Sequence, residues 1–294
     1  MLLCAVAVGI TCMNLSRAHA HDADAQEVAL GSLVDAELAF ARMGSSRGVR
    51  EAFLANFAED GVVFEPAPVR LRETWRARPA PADPLAVKLA WSPAQAGVAR
   101  SFDLGYTTGP FTLTSAAHPG AIRHGVFFSV WKRERGKPWQ VLLDLGIATP
   151  APVDFVALGA APRPQFTGRA TPGVERRRLL ALEGSPLAAN ARARTPNDYA
   201  QLLGADAHLH RDGSAPIAPR GEVALEMARR MSSVSWTPLD ARVSNAADLA
   251  VTWGRYRQID HAQQTQDGYY AHLWLRDVRG AWRLAYDIAV PESP

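Results

Sequence analysis

Cysteine is almost missing from this chain. Its two cysteines, Cys4 and Cys12, both fall in an apolar N-terminal stretch. The rest of the chain therefore has no disulfide framework, no thiol nucleophile and no thiolate ligand for zinc. Long basic runs are missing too. Arg176-Arg177-Arg178 is the one basic triplet, and it reads as the solvated start of a helix. With no Gly-rich aromatic motif either, nucleic acid is not an expected partner. No apolar run is long enough to span a membrane. Phosphate loops, dinucleotide fingerprints and Ser-His-Asp motifs are absent, so no cofactor is expected.

What is present is ordinary globular composition, 48% hydrophobic and 21% charged over 294 residues, enough for two cores. Residues 2–13 are mostly apolar and Ala18-His19-Ala20 is an A-x-A site. This predicts a secretory leader over residues 1–20, without the usual basic start, and a secreted or periplasmic protein. Losing Arg17 with that leader would take the formal net charge from +3 to +2.

The organising feature is a stretch that occurs twice. Trp131, Trp139 and Asp144 recur as Trp274, Trp282 and Asp287 with the same spacing. Each first Trp is followed by a charged turn, closed by Gly136 or Gly280, so each copy reads as a β-hairpin. The self-match extends further. Residues 91–109 fall on 236–254, pairing Trp91/Trp236, Asp103/Asp248, Thr107/Thr252 and Gly109/Gly254, and 33–65 fall on 179–211, pairing Glu37/Glu183 and Phe53/Tyr199. A period of about 145 residues is the size of a domain. The expected organisation is copy one over 21–149, a Pro-rich linker over 150–174 and copy two over 175–291.

Leu30, Leu33, Val34, Leu38 and Ala41 have helical spacing, with Gly44 as a stop. A second helix runs through Phe53 to about Asp60-Gly61, followed by a short strand, Val62–Phe64, and a Pro- and Arg-rich excursion over 70–88. Strands are predicted around 98–108, 111–115, 123–132 and 138–147, with Thr107-Thr108-Gly109-Pro110 as a turn or bulge between the first two. In copy two, Gly184-Ser185-Pro186 predicts a helix break and Thr195-Pro196 a helix start. Residues 221–233 predict a helix, and 241–246, 249–259, 267–277 and 281–290 predict strands. Phe155, Val156 and Leu158 are the linker residues able to dock on a domain. Helices first and a strand meander after argue an α+β domain, helices on one face of an antiparallel sheet.

The helix pair, the Asp60-Gly61 strand, the stretch Asp103-Leu104-Gly105-Tyr106-Thr107-Thr108-Gly109-Pro110 and the closing Trp131…Gly136…Trp139…Asp144 hairpin resemble the nuclear transport factor 2-like superfamily. They are closest to its SnoaL-like and ketosteroid-isomerase-like bacterial members, many of them in groups of unknown function. The resemblance covers nearly the whole chain after the leader, twice. It implies two tandem cone-shaped domains, each a curved sheet closed by helices around a pocket for a small apolar molecule. It also implies that the two copies pair within one chain as a monomeric pseudo-dimer.

In the last strand, alternation puts Trp282, Leu284, Tyr286 and Ile288 on one face and Arg283, Ala285 and Asp287 on the other. Asp287 and its counterpart Asp144 then sit on a mixed face near the cone mouth. Copy two has His208, His210 and His272 where copy one has Val62, Phe64 and Ser129. This makes copy two the expected site, with His210, His272 or Asp287 as acid or base and copy one as scaffold. His208 and His210 share a strand face and would chelate metal only with a third ligand such as His272 or Asp287. Spacing does not fix that ligand, so no metal is predicted. Tyr106, Asp144, His208, Trp253 and Tyr270 are the candidate ligand contacts. Three functions remain open: a binding module for a small apolar ligand, an isomerase, cyclase or lyase working by proton transfer, and an envelope interaction protein.

Overall fold

The computed structural model describes residues 4–184 and 193–292, with side chains from Asp24 onward. The expected leader lies outside the described side chains, and Ser185-Pro186 lies outside the described residues. Among the described residues no helix is long and apolar enough to cross a membrane.

Copy one opens with α1 (Cys4–Arg47) and α2 (Val49–Asn56). The break between them is Gly48, at φ 91°, and not Gly44. Gly44 stays inside α1 on its buried face, where the Trp91 ring lies 2.8 Å from any added Cβ. Leu33, Glu37 and Phe40 form the rest of that face, at the spacing that puts side chains on one stripe. The chain then turns directly into β1 (Phe57–Phe64), so Asp60-Gly61 is strand and not a helix end. The Pro-rich excursion holds β2 (Pro68–Arg70) and α3 (Leu71–Ala77). β3 (Val87–Trp91), β4 (Gln95–Val98), β5 (Leu104–Ser115), β6 (His118–Lys132) and β7 (Gln140–Thr149) complete the sheet.

The break expected at Thr107–Pro110 is in β5's partner instead. β5 runs through unbroken, pairing β4 over 105–108 and β3 over 111–115. The crossing between β3 and β4 brings Ser92 O within 2.1 Å of where a Gly109 Cβ would sit. The same holds at Gly254, where Thr237 O would be 2.2 Å from a Cβ. The repeat keeps glycine there because another backbone passes too close for a side chain. Gly109→Ala and Gly254→Ala should each cost about 2 kcal/mol or more in urea unfolding. Gly31→Ala, in open space on α1, should instead stabilise by about 0.5–1 kcal/mol.

Copy two repeats the order with α4 (Pro172–Glu183), α5 (Pro196–Leu202), β8 (Leu203–Arg211), α6 (Arg220–Arg230), β9 (Ser233–Val243), β10 (Leu249–Ile259), β11 (Thr265–Arg276) and β12 (Trp282–Pro291). Pro172, expected in the linker, stands at the first turn of α4, where its missing N–H costs nothing. Thr195 caps α5 in a capping box with Asp198. β9 starts eight residues before its predicted start at 241, because Trp236 and Val234 are buried inward-facing residues of a true strand.

The sheets are mixed rather than purely antiparallel. β1 lies parallel to β7, and β8 parallel to β12, while the other pairs are antiparallel. Copy two's strand order, β8-β12-β11-β10-β9, matches β1-β7-β6-β5 plus β3 or β4 in copy one. One face of each sheet packs on its own helices. The opposite faces pack on each other, joining Tyr106, Phe128 and Leu145 to Trp253, Leu273 and Tyr286 in one core. The turns beside this seam exchange bonds reciprocally: Arg100 N–H donates to Asp248 Oδ2 (2.9 Å) and Asn245 N–H to Asp103 Oδ2 (3.1 Å). The linker docks along one edge. Tyr106 O–H donates to Pro162 O (2.6 Å) and Phe155 packs against the shared core, while Val156 is 89% exposed.

One irregularity decides where every last-strand residue points. β6–β7 slips at Val130/Trp131 and β11–β12 slips at Leu273/Trp274, leaving Leu142 and Ala285 as extra residues. These are matching bulges, and a bulge reverses alternation beyond it. Leu284 thus faces the copy-two helices, whereas Tyr286 and Ile288 face copy one. The simple alternation that grouped Trp282 and Leu284 with Tyr286 and Ile288 does not hold.

Candidate functional site

The bulge turns Asp144 and Asp287 inward, under the helices. There each meets a buried Glu delivered by a helix, but in very different company.

In copy two Glu183, the last residue of α4, is fully buried. It accepts hydrogen bonds from Tyr270 O–H (2.6 Å), Trp274 Nε1–H (3.0 Å) and the Thr252 hydroxyl. His272 bridges the two carboxyls, with Nδ1 2.7 Å from Glu183 Oε1 and Nε2 3.3 Å from Asp287 Oδ1. Asp287 is also gripped by Arg211 through both oxygens, at 2.8 Å each, and takes a bond from Tyr199 O–H (2.7 Å). Burial would raise the Asp287 carboxyl, but Arg211 and His272 hold it far below the usual carboxylate range. Burial likewise opposes charge on His272, yet Asp287 and Glu183 hold its imidazole above its ordinary value. Asp287, His272 and Tyr270 are thus brought together as expected, but as a closed, charge-balanced cluster with 2% exposure or less. A carboxylate so strongly held as an anion is a poor proton acceptor.

The other candidates are elsewhere. β8 pairs with β12 beyond the bulge, Tyr286 opposite His208 and Ile288 opposite His210. Both histidines therefore face the seam between the copies and not the copy-two cone. His208 stacks on Tyr286 at 4.6 Å, and neither imidazole has a hydrogen-bond partner among the described residues. Burial pushes His208 down to about 4 and His210 to about 3. Tyr106 and Trp253 belong to the same seam, so they are packing residues and not cone lining. Among the described residues no group of three His, Cys, Asp or Glu forms a metal site.

Copy one has the same frame with the plugs removed. Glu37 accepts from Thr107 Oγ1–H (2.6 Å), Trp91 Nε1–H (2.6 Å) and Trp131 Nε1–H (3.0 Å). Ser129 takes the place of His272 and donates to Asp144 Oδ2 (2.6 Å). Phe53 stands at the position of Tyr199 and Glu65 at that of Arg211. Glu65 points away, to Trp75 and Arg78. With no cation paired to it among the described residues, Asp144 is raised to about 7 by burial, against the Ser129 bond and with help from Glu37. It forms the polar end of a cleft of about 200 Å3 lined by Phe40, Phe53, Trp91, Phe111, Phe127 and Leu113 among others.

Larger grooves lie elsewhere, two of them of about 470 and 460 Å3. Another of about 850 Å3 runs past Lys132, Arg133 and Arg242, and another of about 620 Å3 lies between the linker and copy two. The last two mix charged residues with apolar ones, Phe102, Leu104 and Leu142 in the first and Leu203 and Leu275 in the second.

The sequence reading missed Glu37 and Glu183, although the repeat pairs Glu37/Glu183, Thr107/Thr252 and Trp131/Trp274 spell out the buried motif. It also missed the aromatic cleft of copy one, whose residues look like core.

No family model and no curated protein matches the chain. Solved structures do. A ketosteroid isomerase-like protein from Erwinia carotovora atroseptica SCRI1043 is 18% identical, with 42% of this chain and 97% of that chain covered and a TM-score of 0.31. An NTF2-like protein of unknown function from Pseudomonas putida KT2440 is 15% identical, covering 46% of this chain and 94% of that one, TM-score 0.31. An LEH-like epoxide hydrolase of M. tuberculosis is 13% identical, covering 40% and 78%, TM-score 0.27. The chain's own topology, helices followed by a mixed sheet and repeated once, is the tandem α+β arrangement that the sequence resemblance implies.

Proposed function

We propose that the working site is in copy one: a small apolar molecule enters its cleft and meets Asp144. The observation that carries this reading is the pairing of an aromatic cleft of about 200 Å3 with one half-buried carboxyl raised to about 7 and, among the described residues, paired with no cation. Apolar cavities of roughly 150 Å3 take benzene-sized molecules, so the ligand is about the size of one or two rings. A carboxyl poised near neutral pH also suits proton transfer to or from a carbon acid, since acid–base groups work best near the ambient pH. Binding is the primary reading, and isomerase or lyase chemistry rests on the same group. Copy two then serves as a filled partner that buries the opposite face of copy one's sheet.

The leader motif supports export, and the paired sheet faces support a single-chain pseudo-dimer. Native mass spectrometry of the exported protein tests both, by its mass and its N-terminal residue.

For the cleft, indole is a suitable probe. Wild type should bind it with quenching of tryptophan fluorescence, and Leu113→Trp, which fills the cleft, should abolish binding. Asp287→Asn should leave the affinity within about two-fold once folding is verified. Binding that survives Leu113→Trp would place the ligand elsewhere.

A further inference from the structure

Glu37 does not touch the cleft, yet it is one residue away from the group that does. It sits on the buried face of α1, fully enclosed, with donors from β3 (Trp91), β5 (Thr107) and β6 (Trp131). Ser129, on β6, donates to Asp144 (2.6 Å) and lies close enough to Glu37 to favour its charged form. The hydroxyl therefore lies between the two carboxyls. Among the described residues no Lys or Arg pairs with either one, and the titratable groups facing this pair are each other.

Copy two shows the same three positions made with a stronger bridge. There His272 replaces Ser129 and contacts Glu183 and Asp287 at 2.7 and 3.3 Å. Two copies of one frame thus place a hydrogen-bonding side chain between a helix Glu and a last-strand Asp.

We propose that Glu37 is a positioning residue of the copy-one site: as a carboxylate it holds a proton on Asp144 through the Ser129 hydroxyl. The proposal rests on the cleft reading for its use but not for the coupling itself. Burial outweighs the hydrogen bonds that Glu37 accepts and leaves its carboxyl above the ordinary value, and charge on Glu37 in turn raises Asp144. Two like charges one hydroxyl apart are unfavourable, so Asp144 keeps its proton to a higher pH than burial alone would require. In that state Asp144 O–H donates to Ser129 and Ser129 O–H donates to Glu37. When a ligand takes the proton from Asp144, the Ser129 hydroxyl swings back to donate to the new Asp144 carboxylate. One O–H bond breaks at Asp144, one forms on the ligand, and no electrons are transferred.

The test is carboxyl-carbon NMR of full-length protein labelled at Asp and Glu, titrated from pH 4 to 9. In wild type the Asp144 and Glu37 carbons should both respond at two shared midpoints, as interacting sites do. Glu37→Gln keeps an acceptor for the tryptophans but removes the charge, and should lower the proton affinity of Asp144 about five-fold or more. Glu37→Asp should restore part of it. A merely structural Glu37 would leave the Asp144 midpoint unmoved in Glu37→Gln, and that result overturns the proposal. Should Glu37→Gln fail to fold, the wild-type titration decides: independent single midpoints for the two carbons refute the coupling. Indole binding is read separately, so a cleft that binds nothing would refute the functional reading without touching this one.

Discussion

Replacing His208 by Val and His210 by Phe, the residues found at the matching positions of copy one, should stabilise the protein in acid by on the order of 5 kcal/mol at pH 4.5 relative to its effect at pH 7.5. Both imidazoles are buried at the seam with no hydrogen-bond partner among the described residues. Burial holds His208 at about 4 and His210 at about 3, the latter further lowered by His208 and Arg211. In the unfolded chain both protonate near 6.5. Their share of stability is therefore complete above pH 6.5 and is lost as pH falls towards 4, at about 1.4 kcal/mol per histidine per pH unit. Set against a total of about 5–15 kcal/mol, this is enough to open the seam. Asp144 acts in the opposite direction: its raised carboxyl makes the fold gain stability as pH drops from 7 towards 4. The carboxyls held low by Arg or Lys partners, such as Asp60 and Asp240, lose their contribution only below about pH 4. Comparing the double variant with wild type by urea unfolding at each pH cancels those terms. Parallel stability profiles for the two proteins would mean that the histidines reach water or a partner.

This seam also shows how far the sequence could be read. The repeat alone implied two matched α+β units, and its identical pairs fall on structural necessities: Gly109/Gly254 under a crossing strand, Asp103/Asp248 in the turns that exchange bonds, Glu37/Glu183 beneath the tryptophans. What it could not disclose was the face of the last strand. Val141, Leu142 and Leu143 form an unbroken apolar run, so an extra residue leaves no gap in the pattern. The bulge at Leu142 and Ala285 is invisible until the register is known. That single slip sends His208 and His210 to the seam and brings Asp144 and Asp287 under the helices. The surroundings of the candidate residues were hidden for a related reason. Polar gain in copy two looked like the making of a site. In three dimensions Tyr199, Arg211 and His272 fill the cone and neutralise its acid, and it is the plainer, more apolar copy that keeps a cleft.

The two last-strand aspartates should therefore respond oppositely to the same change. Asp287→Asn removes the charge that compensates buried Arg211, which keeps uncharged partners in the His210 and Asp287 backbone carbonyls and Met227 Sδ. Arg211→Leu strands Asp287 beside Tyr199 and His272 instead. Breaking a buried pair from either side costs about 3–5 kcal/mol, because a lone charge is left out of water. Changing both partners at once, Arg211→Leu with Asp287→Leu, should cost much less than the two single losses added together, since no uncompensated charge remains. In copy one Asp144→Asn removes no ion pair. The folded-state carboxyl, raised to about 7, contributes stability below the unfolded value of about 4 that is lost as pH rises through 7. The amide should thus be neutral at pH 5 relative to pH 8, where it should stabilise by about 1–2 kcal/mol after allowing for partial exposure. Urea unfolding of the four variants at pH 5 and pH 8 reads all of this. Equal losses for Asp144→Asn and Asp287→Asn at pH 8 would show that copy one's acid is held as an anion too, and would remove the physical basis for assigning the cleft its chemistry.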